Sequence, residues 1–318
     1  MCIRAIATAT VLMGTLTHAA TQLAPDTYLI VGATIPNRQP DGNSTIIDAP
    51  AGLIIFDTGR HESHTRQLLE FARTRDRPIA AVINSHWHLD HVGGNPLLRA
   101  AYPGLRVYAS NAIDAARTGY LADYRRELLK AIAKSAKNPG EQQSLRQEVA
   151  LIDAGPMLGP TEAIEESRER EIAGRTLQIH LESHAVTAGD IWIFDPATRI
   201  LLAGDLVTLP APFFESACPE RWRKALVGLG NTAFEQLVPG HGAPMRRKEF
   251  DVYQRAFNHL LNCAAGSSKK IECIDNWISD AAVLIPSRDV SYARMLIDYY
   301  IEYFLRSPPE RVQAFCRV

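Results

Sequence analysis

The chain carries no surplus of charge of either sign. Its 34 Lys and Arg stand against 35 Asp and Glu in 318 residues, a formal net charge of -1. A protein that grips a polyanion clusters its cations, so this balance argues against nucleic acid as a partner. The one basic run, Arg246-Arg247-Lys248, reads as a solvated helix start. Also lacking is any apolar stretch of the roughly 20 residues that a membrane-crossing helix needs. Cysteine is scarce, five in all, and none lies near the histidine-rich stretch considered below. No period of repeat-protein length is visible. What remains is an ordinary globular composition, 46% hydrophobic and 22% charged, sufficient to bury the core of one large domain.

The first residues read as an address rather than as structure. Arg4 precedes the apolar run AIATATVLMGTLT, and the small pair Ala19-Ala20 follows, which is the charged, apolar, cleavable order of a secretory signal. Residues 1–20 are therefore expected to be a signal peptide and residues 21–318 the working domain. The destination would be periplasmic or secreted, with no membrane anchor. Removing Cys2 with the signal leaves Cys218, Cys263, Cys273 and Cys316, an even number for an oxidising compartment. Four cysteines allow three pairings. The turn-like AAGSS after Cys263 favours Cys263 with Cys273 and leaves Cys218 with Cys316; free buried thiols are the alternative.

Along the chain, strand and helix patterns alternate. TYLIVG, STIIDA and GLIIFDTG are short β-prone runs punctuated by Pro, Gly and Asn. A helical pattern follows in HESHTRQLLEFARTR, then strands at IAAVIN and LRVYAS. Residues from about 111 to 168 are charged, Ala-rich and helical in spacing, an apparent insertion broken at KNPGE. Strands resume at TLQIHLES, DIWIFD, RILLAG and FEQLVPG, and from about 248 to 318 the pattern is a helical tail.

The stretch SHWHLDHVGGN, Ser85 to Asn95, gathers three histidines and an aspartate within six positions. On an extended segment, residues two apart face the same way, so His86 and His88 converge on one point. Asp90 and His91 follow where a helix is expected to start, and so turn toward a second point nearby. That geometry suits two metals sharing one turn, and a chance cluster on a surface loop is the competing reading.

Here the chain resembles the metallo-β-lactamase superfamily, whose His-x-His-x-Asp-His signature is matched by His86, His88, Asp90 and His91. FDTG with Asp57, LLAGDLV with Asp205 and LVPGHG with His241 resemble further family turns, in family order, from about Thr27 to Pro244. The resemblance implies an α/β fold, a four-layer αββα sandwich with metals at one edge between two β-sheets. The helical insertion and helical tail lie outside the matched motifs. One element departs from the pattern. Where many relatives carry a histidine in a His-Thr-x-Gly-Asp turn, this chain reads Val186-Thr187-Ala188-Gly189-Asp190. His184 lies two residues earlier, displaced by roughly 6.5 Å along an extended segment. A bulge that returns His184 to the site is expected in preference to a lost ligand.

The resemblance then implies one metal on His86, His88 and His184, a second on Asp90, His91 and His241, and Asp205 bridging both. Imidazoles and carboxylates without thiols suit zinc, two ions, with iron or manganese as alternatives. A shared hydroxide would act without a serine or cysteine nucleophile, with Asp90 in the catalytic machinery. Asp57 is either an acceptor that orients a ligand histidine or a plain turn former. Phe213, Phe214 and Trp222, just after Asp205, line a pocket or belong to the core. His61, His64, His180 and His259 lack a motif context and are read as structural. The expected activity is hydrolysis of a small ester, thioester or lactone. A β-lactamase is the runner-up, and a non-catalytic periplasmic metal-binding accessory protein is the reading from another class.

Overall fold

The computed structural model describes residues 20–33, 38–135, 139–307 and Cys316. The signal-like segment lies outside these residues, apart from Ala20. Seven strands form the first sheet: β1 (Thr21–Ala24), β2 (Thr27–Ile30), β3 (Ser44–Ala49), β4 (Gly52–Phe56), β5 (Ile79–Ile83), β6 (Arg106–Ala109) and β7 (Glu162–Ala163). They lie side by side in that order, antiparallel from β1 to β4 and parallel from β4 to β7. The second sheet contains β8 (Arg168–Ile172), β9 (Arg175–Glu182), β10 (Asp190–Asp195), β11 (Ile200–Thr208) and β12 (Gln236–His241). Its order is β12-β11-β10-β9-β8, with β11 and β12 parallel and the other neighbours antiparallel.

Alternation along the strands explains the layering. Ile47 and Ile54 of the first sheet join Ile179, Ile191, Ile193 and Leu202 of the second in one cluster, which is the core between the sheets. The adjacent residues Ile46 and Ile55 face the other way, onto Leu68 of α1 (Glu62–Thr74) and Leu98 of α3 (Asn95–Ala101); the short α2 (Leu89–Val92) lies between these helices. On the far side, Trp192, Leu201 and Ala203 pack beneath α7 (Pro219–Asn231), α8 (Arg247–Ala265), α9 (Lys270–Asp280) and α10 (Val290–Tyr300). Strands covered on both faces must be apolar on both, which is why β4, β10 and β11 are buried throughout. The result is the expected αββα sandwich.

The insertion is helical for less of its length than the sequence suggests. Its helices are α4 (Ala112–Thr118), α5 (Tyr120–Lys134) and α6 (Pro139–Asp153), followed by a 3-10 turn at Gly155–Leu158. Beyond that turn the chain returns to the sheets as β7 and β8. The sequence RERE in β8 alternates charges on the outer strand of its sheet, a pattern that discourages edge pairing and hides the strand from a search for apolar runs. Two disulfides are present, Cys218–Cys316 and Cys263–Cys273. Among the described residues, no helix is long and apolar enough to cross a membrane.

Candidate metal centre

The parallel strands deliver the site. β5 ends at Ile83, the chain bends through Ser85, His86 and Trp87, and His88, with an extended backbone (φ -60°, ψ 143°), precedes the single turn of α2. His86 and His88 come together across that bend, their ring centroids 4.4 Å apart. Trp87 between them faces the other way, into the cluster formed by Leu121, Leu128 and Ile152 of the insertion. Asp90 and His91 ride on α2. A buried amide network fixes this turn: Asn84 Nδ2 donates to the His91 carbonyl at 2.9 Å, and Asn95 Nδ2 donates to Asn84 Oδ1 at 2.8 Å. Asp205 comes from β11 and His241 from the end of its parallel neighbour β12. Glycine is required at two points of this approach. Gly204 has φ +52° and lies where a Cβ would fall 2.4 Å from Ser85 Cβ, and a Cβ on Gly240 would fall 2.0 Å from Asp205 Oδ1.

Six residues converge in two groups, His86 with His88 and Asp205, and Asp90 with His91 and His241. Within each group the candidate ligand atoms lie within 4.8 Å of one another. Asp205 joins the groups through its two oxygens, Oδ2 at 3.7 Å from His86 Nε2 and Oδ1 at 3.3 Å from His91 Nε2 and 3.6 Å from His241 Nε2. Asp90 Oδ2 is 3.0 Å from His241 Nε2. His86 Nε2, His91 Nε2 and Asp205 Oδ1 are fully buried without a hydrogen-bond partner among the described residues. Buried polar atoms are normally paired, so three orphans around one carboxylate mark a place where something else completes them.

The outer nitrogens of the same rings are all held. His86 Nδ1 donates to Ser85 Oγ at 2.8 Å, and Ser85 Oγ donates to Asp57 Oδ2 at 2.7 Å. His91 Nδ1 donates to the same Asp57 oxygen at 2.8 Å. Asp57, in the left-handed region at φ +62°, is thus the acceptor that orients ligand-type histidines rather than a plain turn former. His88 Nε2 donates to Ser216 Oγ at 2.8 Å, and Ser216 Oγ donates to the Val186 carbonyl at 2.9 Å.

Electrostatics point the same way. Burial holds His86 well below its ordinary pKa and pushes His88 down to about 4, so both are neutral donors at neutral pH. Burial also opposes charge on His91, but the carboxylates of Asp205, Asp57 and Asp90 outweigh it and hold His91 well above its ordinary value. His241 is raised likewise, against burial, by Asp205 and Asp90. The buried carboxylates of Asp57, Asp90 and Asp205 are thus answered by His91, His241 and Arg60, and divalent cations on the orphaned donors would take over the part of the two rings.

His184 stands outside both groups. It sits at φ +58° in the turn before Asp190, partly exposed, with its backbone N–H directed to the Ala188 carbonyl at 3.4 Å. The turn carries a left-handed residue where a bulge is expected, and neither group of candidate ligand atoms among the described residues includes His184. The turn is held by Asp190, whose carboxylate accepts from the amides of Ala185, Val186 and Thr187 and from Thr187 Oγ1. Of the three aromatics after Asp205, Phe213 meets the site, 5.0 Å from the His88 ring, whereas Phe214 and Trp222 are core.

Sequence reasoning missed four residues that shape the site: Ser85, Arg60, Asp190 and Ser216. Arg60 Nη2 lies 3.4 Å from Asp90 Oδ1 and also pairs with Glu148 of α6. Ser85 and Asp190 sit inside stretches the sequence had already singled out, whereas Ser216 reaches His88 across 128 residues with no local signal.

A family model of the metallo-beta-lactamase superfamily matches residues 38–247, and the chain belongs to that superfamily. Among curated proteins it is similar to the linear primary-alkylsulfatase of Pseudomonas sp. (strain ATCC 19151), 26% identical over 223 residues, 64% of this chain and 42% of that protein. It is also similar to the atrochrysone carboxyl ACP thioesterase of Aspergillus fumigatus, 33% identical over 93 residues, 29% of each chain. Among solved structures, a double mutant of the sec-alkyl sulfatase PisA1 superposes with a TM-score of 0.64 at 18% identity, over 92% of this chain and 51% of that one. The likeness to that structure is one of fold. The chain spans less than half the length of the curated relatives it matches.

Proposed function

We propose that the chain is an exported, metal-dependent hydrolase of a small ester, thioester or lactone. His86, His88, Asp90, His91, Asp205 and His241 would hold two divalent cations, zinc foremost. The observation that carries this reading is the set of buried atoms without a hydrogen-bond partner among the described residues, His86 Nε2 and His91 Nε2 from the histidine-rich turn and Asp205 Oδ1 from β11. Imidazole and carboxylate donors without a thiolate suit zinc and leave iron and manganese as alternatives. The thioesterase and alkylsulfatase relatives support ester-type substrates, and the two disulfides support export from a reducing cytoplasm.

When bound, such cations lower the pKa of water toward neutrality and stabilise the negative charge that develops on the substrate. The chain's own part is orientation. Asp57 accepts the Nδ1 proton of His91 and keeps Nε2 as the free donor atom. Ser216 accepts the Nε2 proton of His88 and passes its own to the Val186 carbonyl, which leaves Nδ1 as the free donor of that ring. Asp90 turns Oδ1 to Arg60 and Oδ2 to His241 and the candidate cation position, so its part in catalysis would be to hold the cation and orient the attacking water. Phe213 packs an edge against His88 and keeps bulk solvent from that side.

The alkylsulfatase relative, matched over 64% of this chain, favours a sulfate ester as the second reading. Protein comprising residues 21–318, loaded with zinc, should be assayed on carboxylic ester, thioester, lactone, alkyl sulfate, phosphodiester and β-lactam substrates. We expect turnover of an ester, thioester or lactone that chelation abolishes and zinc restores. Preference for the alkyl sulfate would reverse the order of the two readings, efficient β-lactam turnover would make it a lactamase, and bound metal without any turnover would leave the accessory protein.

A further inference from the structure

The two donor groups are unequal, and the inequality lies in the chain. Around His91 and His241 four donors face one another: both Nε2 atoms, Asp90 Oδ2 and Asp205 Oδ1, with the cross-distances from imidazole to carboxylate between 3.0 and 3.8 Å. Around His86 there are three: His86, His88 and the other oxygen of Asp205. Four nitrogen and oxygen donors complete a tetrahedral cage, whereas three leave a position open. Charge widens the gap. The larger group holds a carboxylate of its own, Asp90, besides the shared Asp205, and its His91 is backed by Asp57. The smaller group has only the shared carboxylate, and its rings are backed by hydroxyls, Ser85 behind His86 and Ser216 behind His88.

The segment that could complete the smaller group comes close and withholds a donor. The Val186 carbonyl accepts from Ser216 Oγ, which in turn holds His88. Yet the Val186 side chain is fully buried in the apolar cluster with Ala185 and Phe214, and its amide belongs to Asp190. His184, on the same turn, lies outside both groups. This segment therefore steadies His88 without adding an atom that a cation could use.

We propose, resting on the centre proposed above, that the chain takes up its cations in a fixed order. The first enters the cage of Asp90, His91, His241 and Asp205. The second enters the site of His86, His88 and Asp205 and binds at least about tenfold more weakly, since the loss of even an outer-shell partner costs roughly 10- to 100-fold in metal affinity. The fully loaded form then depends on the free cation concentration around the protein, while the singly loaded form persists.

The test is a zinc titration of chelator-stripped protein, with native mass spectrometry for stoichiometry and competition against a chromophoric chelator for affinity. At one equivalent the singly loaded species should dominate. His86→Ala should abolish the second event and leave the first unchanged, and His241→Ala should weaken the first at least tenfold. Two equal affinities, a second ion tighter than the first, or loss of the tight ion in His86→Ala but not in His241→Ala would overturn the order. If a histidine variant fails to fold by circular dichroism, the wild-type isotherm still decides. Turnover is not the readout. Unequal uptake without hydrolysis would defeat only the hydrolase reading, equal uptake with hydrolysis only the fixed order, and failure to retain any ion both.

Discussion

Ser216 touches no residue near it in sequence among its polar contacts at the site, yet it sets the tautomer of His88 by accepting from Nε2 and donating to Val186. Ser216→Ala should lower the affinity for the second zinc about 10- to 100-fold in a chelator competition titration, leaving the circular dichroism spectrum unchanged. Asp190 answers for a different quantity. Its carboxylate satisfies three backbone amides and one hydroxyl in a buried turn, so Asp190→Ala should cost on the order of 3 kcal/mol in urea unfolding, because unpaired buried donors are each worth about 1–3 kcal/mol. At this scale the sequence was legible where ligand residues follow a local period. His86 and His88 converge as read and Asp90 and His91 follow on a helical turn, yet the run read as extended bends at Ser85, His86 and Trp87. It was illegible where the partner is remote. Nothing within Val186-Thr187-Ala188-Gly189-Asp190 announces that its carbonyl would serve His88 through a serine 30 residues further on.

Among the elements of the insertion, α6 is tied to the site through one intermediary, Arg60. Glu148 pairs with Arg60, which is 3.4 Å from Asp90, and the two side chains are only 12% and 10% exposed. Arg60 keeps Asp90 when Glu148 is removed, so Glu148→Ala should destabilise the protein by less than the about 3–5 kcal/mol of a fully broken buried pair in chemical denaturation, and Glu148→Gln, which keeps an acceptor, by less still. The apolar strands β3, β4, β5 and β10 were readable because both of their faces are buried and their runs of Ile, Val and Leu have no other use. β7 fell inside the stretch read as helix and β8 went unassigned, because a two-residue pairing and a run of alternating Arg and Glu carry no hydrophobic period. Their identity is fixed by neighbours, Ala163 against Ala109 and Arg170 against Leu177, and a propensity argument does not see neighbours.

For the molecule as a whole, the cross-link between Cys218 and Cys316 closes 98 residues of chain and pins the segment that carries Phe213 and Ser216. By loop entropy it should contribute about 4.7 kcal/mol, against about 2.7 kcal/mol for the ten-residue loop of Cys263 and Cys273. Cys316→Ser should accordingly lower Tm more than Cys273→Ser, measured by calorimetry without reductant. Stripping the cations should also lower Tm, since a ligand at 100 times its Kd adds about 2.7 kcal/mol to folding. The ligand-type residues divide between the sheets: the histidine turn follows β5 of one, while Asp205 and His241 belong to β11 and β12 of the other. During synthesis His91 emerges from the ribosome long before His241, and until the second sheet docks it has no mate across the gap. Capture of a cation by the complete cage is therefore a finishing event, and the appearance of a cobalt absorption band during refolding would serve as a clock for closure of the sandwich.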